Sequence, residues 1–218
     1  MKKFLWVFTL FLLPLSINVQ AAGVSLDLEE AGNNLRDQDS LKRGAILFSN
    51  YCMACHSIKH MRYNRIARNL GWTEEEVISE MAHDLNIVTE NVVTRMLDGV
   101  AMQVLGTEPP DLSLMARLKG DDYIYSFLRA YHHDEKGEWD NSILKGTAMP
   151  NVLEGIQRHE TADDYAKAAR DITNFLAYVG EPSKLDRLDL GWKVIALLLV
   201  LLLLTYLLKR EYWRDIKH

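Results

Sequence analysis

The 218-residue chain has only two cysteines, so no further thiolate is available to complete a zinc site made of four cysteines. Internal repeats and low-complexity linkers are also absent, and the chain is long enough for a single folded core. Positive charge is scarce. Residues 23–190 contain 18 Lys and Arg against 28 Asp and Glu, a formal charge of −10. A surface of this sign repels nucleic acid.

The same acidic balance can steer a basic partner towards the protein. Such steering raises encounter rates by about 10 to 10³ at low salt. An acidic surface also keeps a protein soluble, and the sequence alone does not tell which acidic residues cluster. Composition therefore leaves both interpretations open, a basic partner or simple solubility.

Both cysteines lie in the segment Cys52-Met53-Ala54-Cys55-His56. Two cysteines separated by two residues and followed by a histidine have the spacing of a c-type haem attachment site. The thiols are placed to form thioether bonds to the two vinyl groups on one edge of the porphyrin. The adjacent imidazole then reaches the iron as an axial ligand. The motif predicts one covalently attached haem c, held by Cys52, Cys55 and His56.

Two other uses of a Cys-x-x-Cys pair fit this sequence less well. A zinc site would have to recruit histidines such as His60 or His83, which have no pairing motif around them. A redox dithiol is expected at the start of a helix in a βαβ pattern, and no strand pattern is apparent near the cysteines.

Residues 1–22 have the form of a cleaved secretory signal. Lys2 and Lys3 precede an apolar core, and small residues up to Ala22 offer a cleavage site. An uncleaved anchor is the alternative, but the apolar run is shorter than the roughly 20 residues of a spanning helix. Export would place the domain of residues 23–190 where c-type haem is attached in bacteria.

A second apolar segment, residues 191–208, is predicted to be a membrane anchor. Leucine lies on every side of this segment, which leaves no polar face for a helix on the surface of a soluble domain. A buried core helix is the alternative. Basic residues follow in the tail of residues 209–218, so the tail is predicted to be cytoplasmic and the domain periplasmic. We therefore expect a single-pass protein of the bacterial inner membrane.

The domain is predicted to be mainly α-helical with long loops. The first predicted helix is capped by Asp39 and leads through Leu41, Ala45 and Phe48 to Cys52. A second has a capping box at residues 73–76, and a short third follows Thr89 and reaches Leu97. Two more are predicted after Asp121 and over residues 161–179, the latter ended by Gly180 and Pro182.

An iron bound by His56 needs a second axial ligand if it is to be a closed electron carrier. A thioether raises the reduction potential and leaves no site for oxygen. Met149 is the preferred candidate, because Pro150 disfavours a helix at this position and a loop methionine can reach a haem face. Met102, His83, His132 and His133 are the competing ligands.

The sequence resembles the cytochrome c1 family, the membrane-anchored haem subunits of the cytochrome bc1 complex. The resemblance covers nearly the whole mature chain. It rests on Arg43-Gly44, Tyr51 to Ser57 around the haem motif, Met61-Arg62-Tyr63, Pro109-Pro110-Asp111-Leu112-Ser113, Arg117, Asp122-Tyr123, Ala148-Met149-Pro150 with Leu153, and the anchor followed by Lys209-Arg210.

The resemblance implies a class I cytochrome c fold, in which the first helix near Gly44 crosses the last domain helix near Phe175. It implies that Met149 is the sixth ligand, that Arg117 lies by a haem propionate, and that Pro110 and Tyr63 line the haem pocket. One departure is visible. The loop of residues 141–146 lacks the Phe-Pro-Gly usual in the family, so its path is not predicted.

The resemblance also implies the function. A Rieske iron-sulphur protein would pass electrons to this chain, which would pass them to a soluble or membrane-bound cytochrome c, within a dimeric complex that contains cytochrome b. The chain itself would make no bonds, so no general acid, base or nucleophile is expected. The alternatives are an anchored cytochrome c of another respiratory chain, such as an oxidase subunit, and a haem enzyme or gas sensor with an open iron.

Overall fold

A computed structural model describes residues 26–82, 88–97 and 99–215. The predicted signal, residues 1–22, and the competing ligand His83 lie outside the described residues. The described chain is mainly α-helical and ends in one long apolar helix, as the sequence predicts.

The described chain forms nine α-helices and two short two-stranded antiparallel sheets. The helices are α1 (Gln38–Leu47), α2 (Tyr63–Leu70), α3 (Glu74–Val77), α4 (Val100–Leu105), α5 (Met115–Lys119), α6 (Asp121–Arg129), α7 (Glu154–His159), α8 (Ala162–Gly180) and α9 (Lys184–Tyr212). Wider π-helical turns extend α1 over Phe48–Cys52 and α3 over Ile78–Ala82. The strands are β1 (Ile58–Arg62), β2 (Asn91–Val92), β3 (Tyr131–His133) and β4 (Trp139–Asn141), which pair antiparallel as β1–β2 and β3–β4.

Helices α1 and α8 pack against each other at the centre of the domain. A Cβ atom added to Gly44 of α1 would lie 2.0 Å from the backbone oxygen of Asp171 in α8. One turn further on, the rings of Phe48 and Phe175 lie 5.7 Å apart, and neither side chain is exposed. The helix crossing implied by the resemblance is thereby confirmed. Because the π-helical turn continues α1, this contact also fixes where Cys52 enters the site.

A buried polar contact reinforces the same crossing. The carboxylate of Asp171, 3% exposed, accepts a hydrogen bond from the Ser40 hydroxyl at 2.6 Å and two from the Arg43 guanidinium at 2.6 and 3.1 Å. The hydrogen bond to Asp171 raises the pKa of the Arg43 guanidinium above its ordinary value. A buried carboxylate is tolerated only when paired in this way, so these three side chains fix the register of α1 on α8.

Several predicted helix boundaries are confirmed. The side chain of Thr73 and that of Glu76 form the predicted capping box of α3. Helix α6 begins at Asp121, and α8 follows the cap of Thr161, whose hydroxyl accepts from the backbone N–H of Asp164.

Two local predictions are wrong. The cap of α1 is Asp37, not Asp39, because the Asp37 carboxylate accepts from the backbone N–H of Ser40 at 2.9 Å. The helix predicted after Thr89 is also absent from residues 88–97, where the chain forms β2 and then an irregular segment. Tertiary contacts override the local pattern there, since Thr94 bonds to both Ser57 and Ala54 beside the haem motif.

Helix α9 is the one described helix long and apolar enough to cross a membrane, and its apolar window is not buried in the protein. It contains the whole predicted segment, residues 191–208. Only residues 181–183 separate it from α8. In this turn the carboxylate of Glu181 pairs with Arg117 of α5 at 3.1 Å and with Arg187 of α9 at 2.6 Å.

The α1–α8 contact yields a test of the fold. The substitution Gly44→Ala should lower the free energy of unfolding by about 3 kcal/mol, the upper end of overpacking costs, because the new methyl group meets backbone and not a mobile side chain. Urea unfolding of the full chain in detergent, followed by circular dichroism, measures the change.

A matched control is Gly155→Ala in α7, where an added Cβ meets nothing within 4 Å. That substitution should leave the protein as stable as before, or more stable by up to about 1 kcal/mol, since alanine favours a helix. Equal stability of the two variants would contradict the proposed backbone contact.

Candidate haem-binding site

The three residues of the predicted attachment motif line one cavity of about 560 Å³. This volume is within the range of roughly 300–1,000 Å³ that is usual for small-molecule and cofactor sites. The lining is largely apolar, and several segments distant in sequence contribute to it. Among the lining residues are Cys52, Cys55, His56, Pro110, Leu112, Phe127, Met149 and Leu176.

His56 is held in one orientation by a backbone carbonyl. Its Nδ1 lies 2.8 Å from the carbonyl oxygen of Pro110. A carbonyl can only accept, so Nδ1 carries the proton and Nε2 carries the lone pair that a metal requires. Burial also lowers the pKa of the His56 imidazole, against the opposing effects of Pro110 and Asp111. The residue is thus prepared as a neutral ligand.

The segment Pro109 to Ser113 is anchored directly to the chain that follows the motif. The backbone N–H of Leu112 donates to the carbonyl of Ser57 at 2.8 Å, and the N–H of Lys59 donates to the carboxylate of Asp111 at 3.0 Å. The side-chain oxygen of Ser113 accepts from the N–H of His60 at 3.1 Å. These bonds explain why Pro110 lies where its carbonyl can orient His56.

The two cysteines differ in their surroundings. Cys52 is buried, whereas Cys55 is partly exposed. Burial raises the pKa of the Cys52 thiol to about 12, with a smaller contribution from Cys55. A thiol that stays protonated at pH 7 is a poor nucleophile for disulfide exchange. Among the described residues there is also no cluster of His, Cys, Asp and Glu that could hold a metal ion.

Met149 lines the same cavity as His56. The competing ligands Met102, His132 and His133 do not line it and are exposed to solvent. A different methionine, Met115 at the start of α5, does line the cavity, and nothing in its sequence context marks it. Met115 is therefore a second candidate for the sulphur ligand beside the predicted Met149, and only the structure identifies it.

The remaining predicted site residues occupy three different positions. Pro110 lines the cavity and orients His56. Tyr63 is fully buried outside the lining, and its hydroxyl lies 3.6 Å from the sulphur of Met53, so it supports the motif from the core. Arg117 is also outside the lining, and its guanidinium pairs with Glu181. Its predicted contact with a propionate stays a prediction.

Two lysines in the lining, Lys119 and Lys145, were not recognised from the sequence. Lys119 reaches over the ring of Tyr123, another lining residue, with 5.3 Å between Nζ and the ring centroid. Either ammonium group could pair with a carboxylate of a bound ligand. A lone lysine has no signature in a sequence, and only the position of Lys119 two residues after Arg117 could have suggested it.

The residues present fit a covalently attached haem c. Two thiols and a neutral imidazole with a free Nε2 face one apolar cavity, a thioether shares it, and cationic side chains stand in its wall. A porphyrin needs such an apolar enclosure, together with cations for its carboxylates. The chain has no second cysteine pair. Among the described residues Glu108 is the one acidic residue in the lining, whereas a hard metal ion is usually held by several carboxylates.

Comparison with known proteins gives consistent results. The Cytochrome C1 family model matches residues 32–216. The chain is 34% identical to cytochrome c1 of Allochromatium vinosum, over 99% of this chain and all of that protein. It is also 34% identical to a protein of Nitrosomonas europaea named ammonia monooxygenase gamma subunit, over 90% of this chain and 92% of that protein. Cytochrome c1 of Rhodospirillum rubrum is 28% identical, over 84% of each chain.

Replacing the cysteines tests the attachment site. In the variant Cys52→Ser with Cys55→Ser, no thioether can form, and haem staining of the chain on a denaturing gel should be lost. The single variant Cys52→Ser should show weaker staining and the altered spectrum of a haem with one remaining vinyl group. Staining of the double variant equal to that of the unchanged protein would contradict the assignment.

Proposed function

The chain belongs to the cytochrome c1 family, and we propose that it serves as the membrane-anchored electron carrier of a cytochrome bc1 complex. Proteins of this family carry one covalently attached haem c. In this proposal the chain accepts electrons from a Rieske iron-sulphur protein and passes them to a cytochrome c. The observation that carries the proposal is the convergence of Cys52, Cys55, His56 and Met149 on one apolar cavity.

Haem supplies a one-electron iron couple whose potential depends on the axial ligands and on burial. His56, oriented by the carbonyl of Pro110, and Met149 would hold the iron of this haem. The apolar side chains of the lining would exclude water, and iron held by both residues would have no open position for oxygen. The chain makes no bonds with a substrate, so its part in the oxidoreductase is ligation, enclosure and presentation of the haem edge to its partners.

Helix α9 supports the proposed anchoring. From Trp192 to Tyr212 the helix rises about 30 Å, the thickness of a hydrocarbon core. Trp192 at one end and Trp213 at the other are 65% and 55% exposed, as expected of aromatic residues at membrane interfaces. Lys209 and Arg210 follow the apolar run and favour a cytoplasmic carboxyl end.

We propose the corresponding organisation for the whole chain. Residues 1–22 are a cleaved signal, residues 23–190 a periplasmic haem domain, residues 191–208 the membrane anchor and residues 209–218 a cytoplasmic tail. In this arrangement the protein joins cytochrome b and a Rieske protein in a dimeric complex of the bacterial inner membrane.

The ligand assignment is tested by replacing each methionine of the cavity with leucine, which keeps the volume and removes the thioether. In Met149→Leu the reduction potential should fall by tens of millivolts or more, roughly 59 mV for each tenfold change in ligand preference between oxidised and reduced iron. The reduced protein should also bind carbon monoxide. Met102→Leu, at an exposed position outside the cavity, is the control and should behave as the unchanged protein.

If Met115→Leu opened the iron while Met149→Leu did not, Met115 would be the ligand and the assignment would be wrong. Carbon monoxide binding by the unchanged protein would instead favour the haem enzyme or sensor with an open iron.

Purification of the tagged full chain from mild detergent tests the function. Cytochrome b and a Rieske protein should copurify with it, and the complex should reduce added cytochrome c with ubiquinol as the donor. Recovery with oxidase subunits, without cytochrome b, would assign the chain to another respiratory chain.

A further inference from the structure

Residues 142–153 connect β4 to α7 and contain the proposed sulphur ligand, yet they include no helix or strand. A buried side chain fixes the start of this loop. Asn141, which has no exposed surface, accepts hydrogen bonds from the backbone N–H of Ile143 at 2.9 Å and of Leu144 at 3.2 Å. It donates another to the carbonyl of Phe127 at 2.9 Å. The loop therefore has a defined path without the Phe-Pro-Gly of the family.

A closed ring of hydrogen bonds fixes the end of the loop that carries Met149. The hydroxyl of Tyr131 donates to the carbonyl of Met149 at 2.9 Å. The carbonyl of Tyr131 accepts from Nε2 of Gln157 at 3.3 Å, and Oε1 of Gln157 accepts from Nδ2 of Asn151 at 2.7 Å. One strand residue, Tyr131, is thus connected to the chain on both sides of Pro150.

The position of the Met149 backbone decides where its thioether can point. A methionine side chain has three rotatable bonds and adapts to its surroundings. The position of its thioether therefore depends mainly on where the methionine backbone is held. Pro150 disfavours a helical conformation at Met149, and the Tyr131 hydroxyl donates to the carbonyl of Met149 itself. Tyr131 is 4% exposed, and its hydrogen bond to Met149 is partly buried.

We propose that Tyr131 is a positioning residue for the distal ligand. Together with Gln157 and Asn151 it holds the Met149 backbone so that the thioether stays in the cavity instead of leaving it. The proposal rests on the proposed role of Met149 as the sixth ligand. It assigns a part in haem ligation to a residue that does not itself line the cavity.

The test compares two tyrosines that make the same kind of hydrogen bond. Tyr131→Phe removes the bond to Met149. Tyr165→Phe removes a hydroxyl that donates to the carbonyl of Leu128 at 2.6 Å, and Tyr165 is likewise buried, at 7% exposed. Both variants of the full haem-loaded chain should lose similar thermal stability, because each leaves one carbonyl without its partner.

Ligation is measured separately from stability. The methionine-to-iron charge-transfer absorbance of the oxidised protein reports the closed site, and the rate of carbon monoxide binding to the reduced protein reports its opening. In Tyr131→Phe the absorbance should weaken, and binding should be about fivefold faster, the factor that corresponds to one ordinary hydrogen bond. Tyr165→Phe should change neither measurement.

Gln157→Leu breaks the ring at a second point without altering the tyrosine. It should change both measurements in the same direction as Tyr131→Phe. If the Tyr131→Phe protein does not fold and accumulate, Gln157→Leu alone tests the positioning role.

Suppose that Tyr131→Phe keeps the absorbance and the carbon monoxide binding of the unchanged protein, while Met149→Leu opens the iron. That result would overturn the positioning role and leave the ligand assignment intact. An unchanged spectrum in Met149→Leu would refute the ligand assignment, and the positioning role with it. Equal effects of Tyr131→Phe and Tyr165→Phe on carbon monoxide binding would reduce Tyr131 to a residue that only stabilises the fold.

Discussion

The backbone contact between α1 and α8 is the constraint on which the rest of the domain depends. Gly44 brings the two helices so close that no side chain fits between them. Asp171 then holds both Ser40 and Arg43 in the next layer. Because α1 runs through its π-helical turn directly into Cys52, the same contact sets the entry point of the haem motif. α8 in turn supplies Ile172 and Leu176 to the cavity wall.

The two faces of the haem site are built by different means. On the proximal side, the proposed ligand His56 lies within the attachment motif, and a neighbouring segment bonded to Ser57 and Lys59 supplies the orienting carbonyl. On the distal side, the proposed ligand belongs to a long irregular loop, whose path is fixed by the side chains of Asn141 and Tyr131. A loop can carry a ligand only if its backbone groups find partners, and here buried polar side chains provide them.

The sequence predicts best where chemistry or periodicity is concentrated in a short segment. The attachment motif, the helix predicted over residues 161–179 and the capping box at Thr73 need only local information. Prediction fails where a distant contact decides. After Thr89 the valines suggest a helix, but the chain forms β2 and then an irregular segment, in which Thr94 bonds to Ala54 and Ser57. The cationic residues of the cavity wall show the same limit of prediction from sequence. Lys119 lines the cavity, whereas the predicted Arg117 lies outside the lining and pairs with Glu181.

The turn between α8 and α9 limits how far the domain can move away from α9. Three residues, 181–183, connect the two helices, and a fully extended chain of that length reaches only about 10 Å. The carboxylate of Glu181 restrains this connection further, because it pairs with Arg117 of α5 and with Arg187 of α9. With α9 as the proposed anchor, a domain on so short a connection would stay close to the membrane, and electron exchange over larger distances would depend on the movement of its proposed partners.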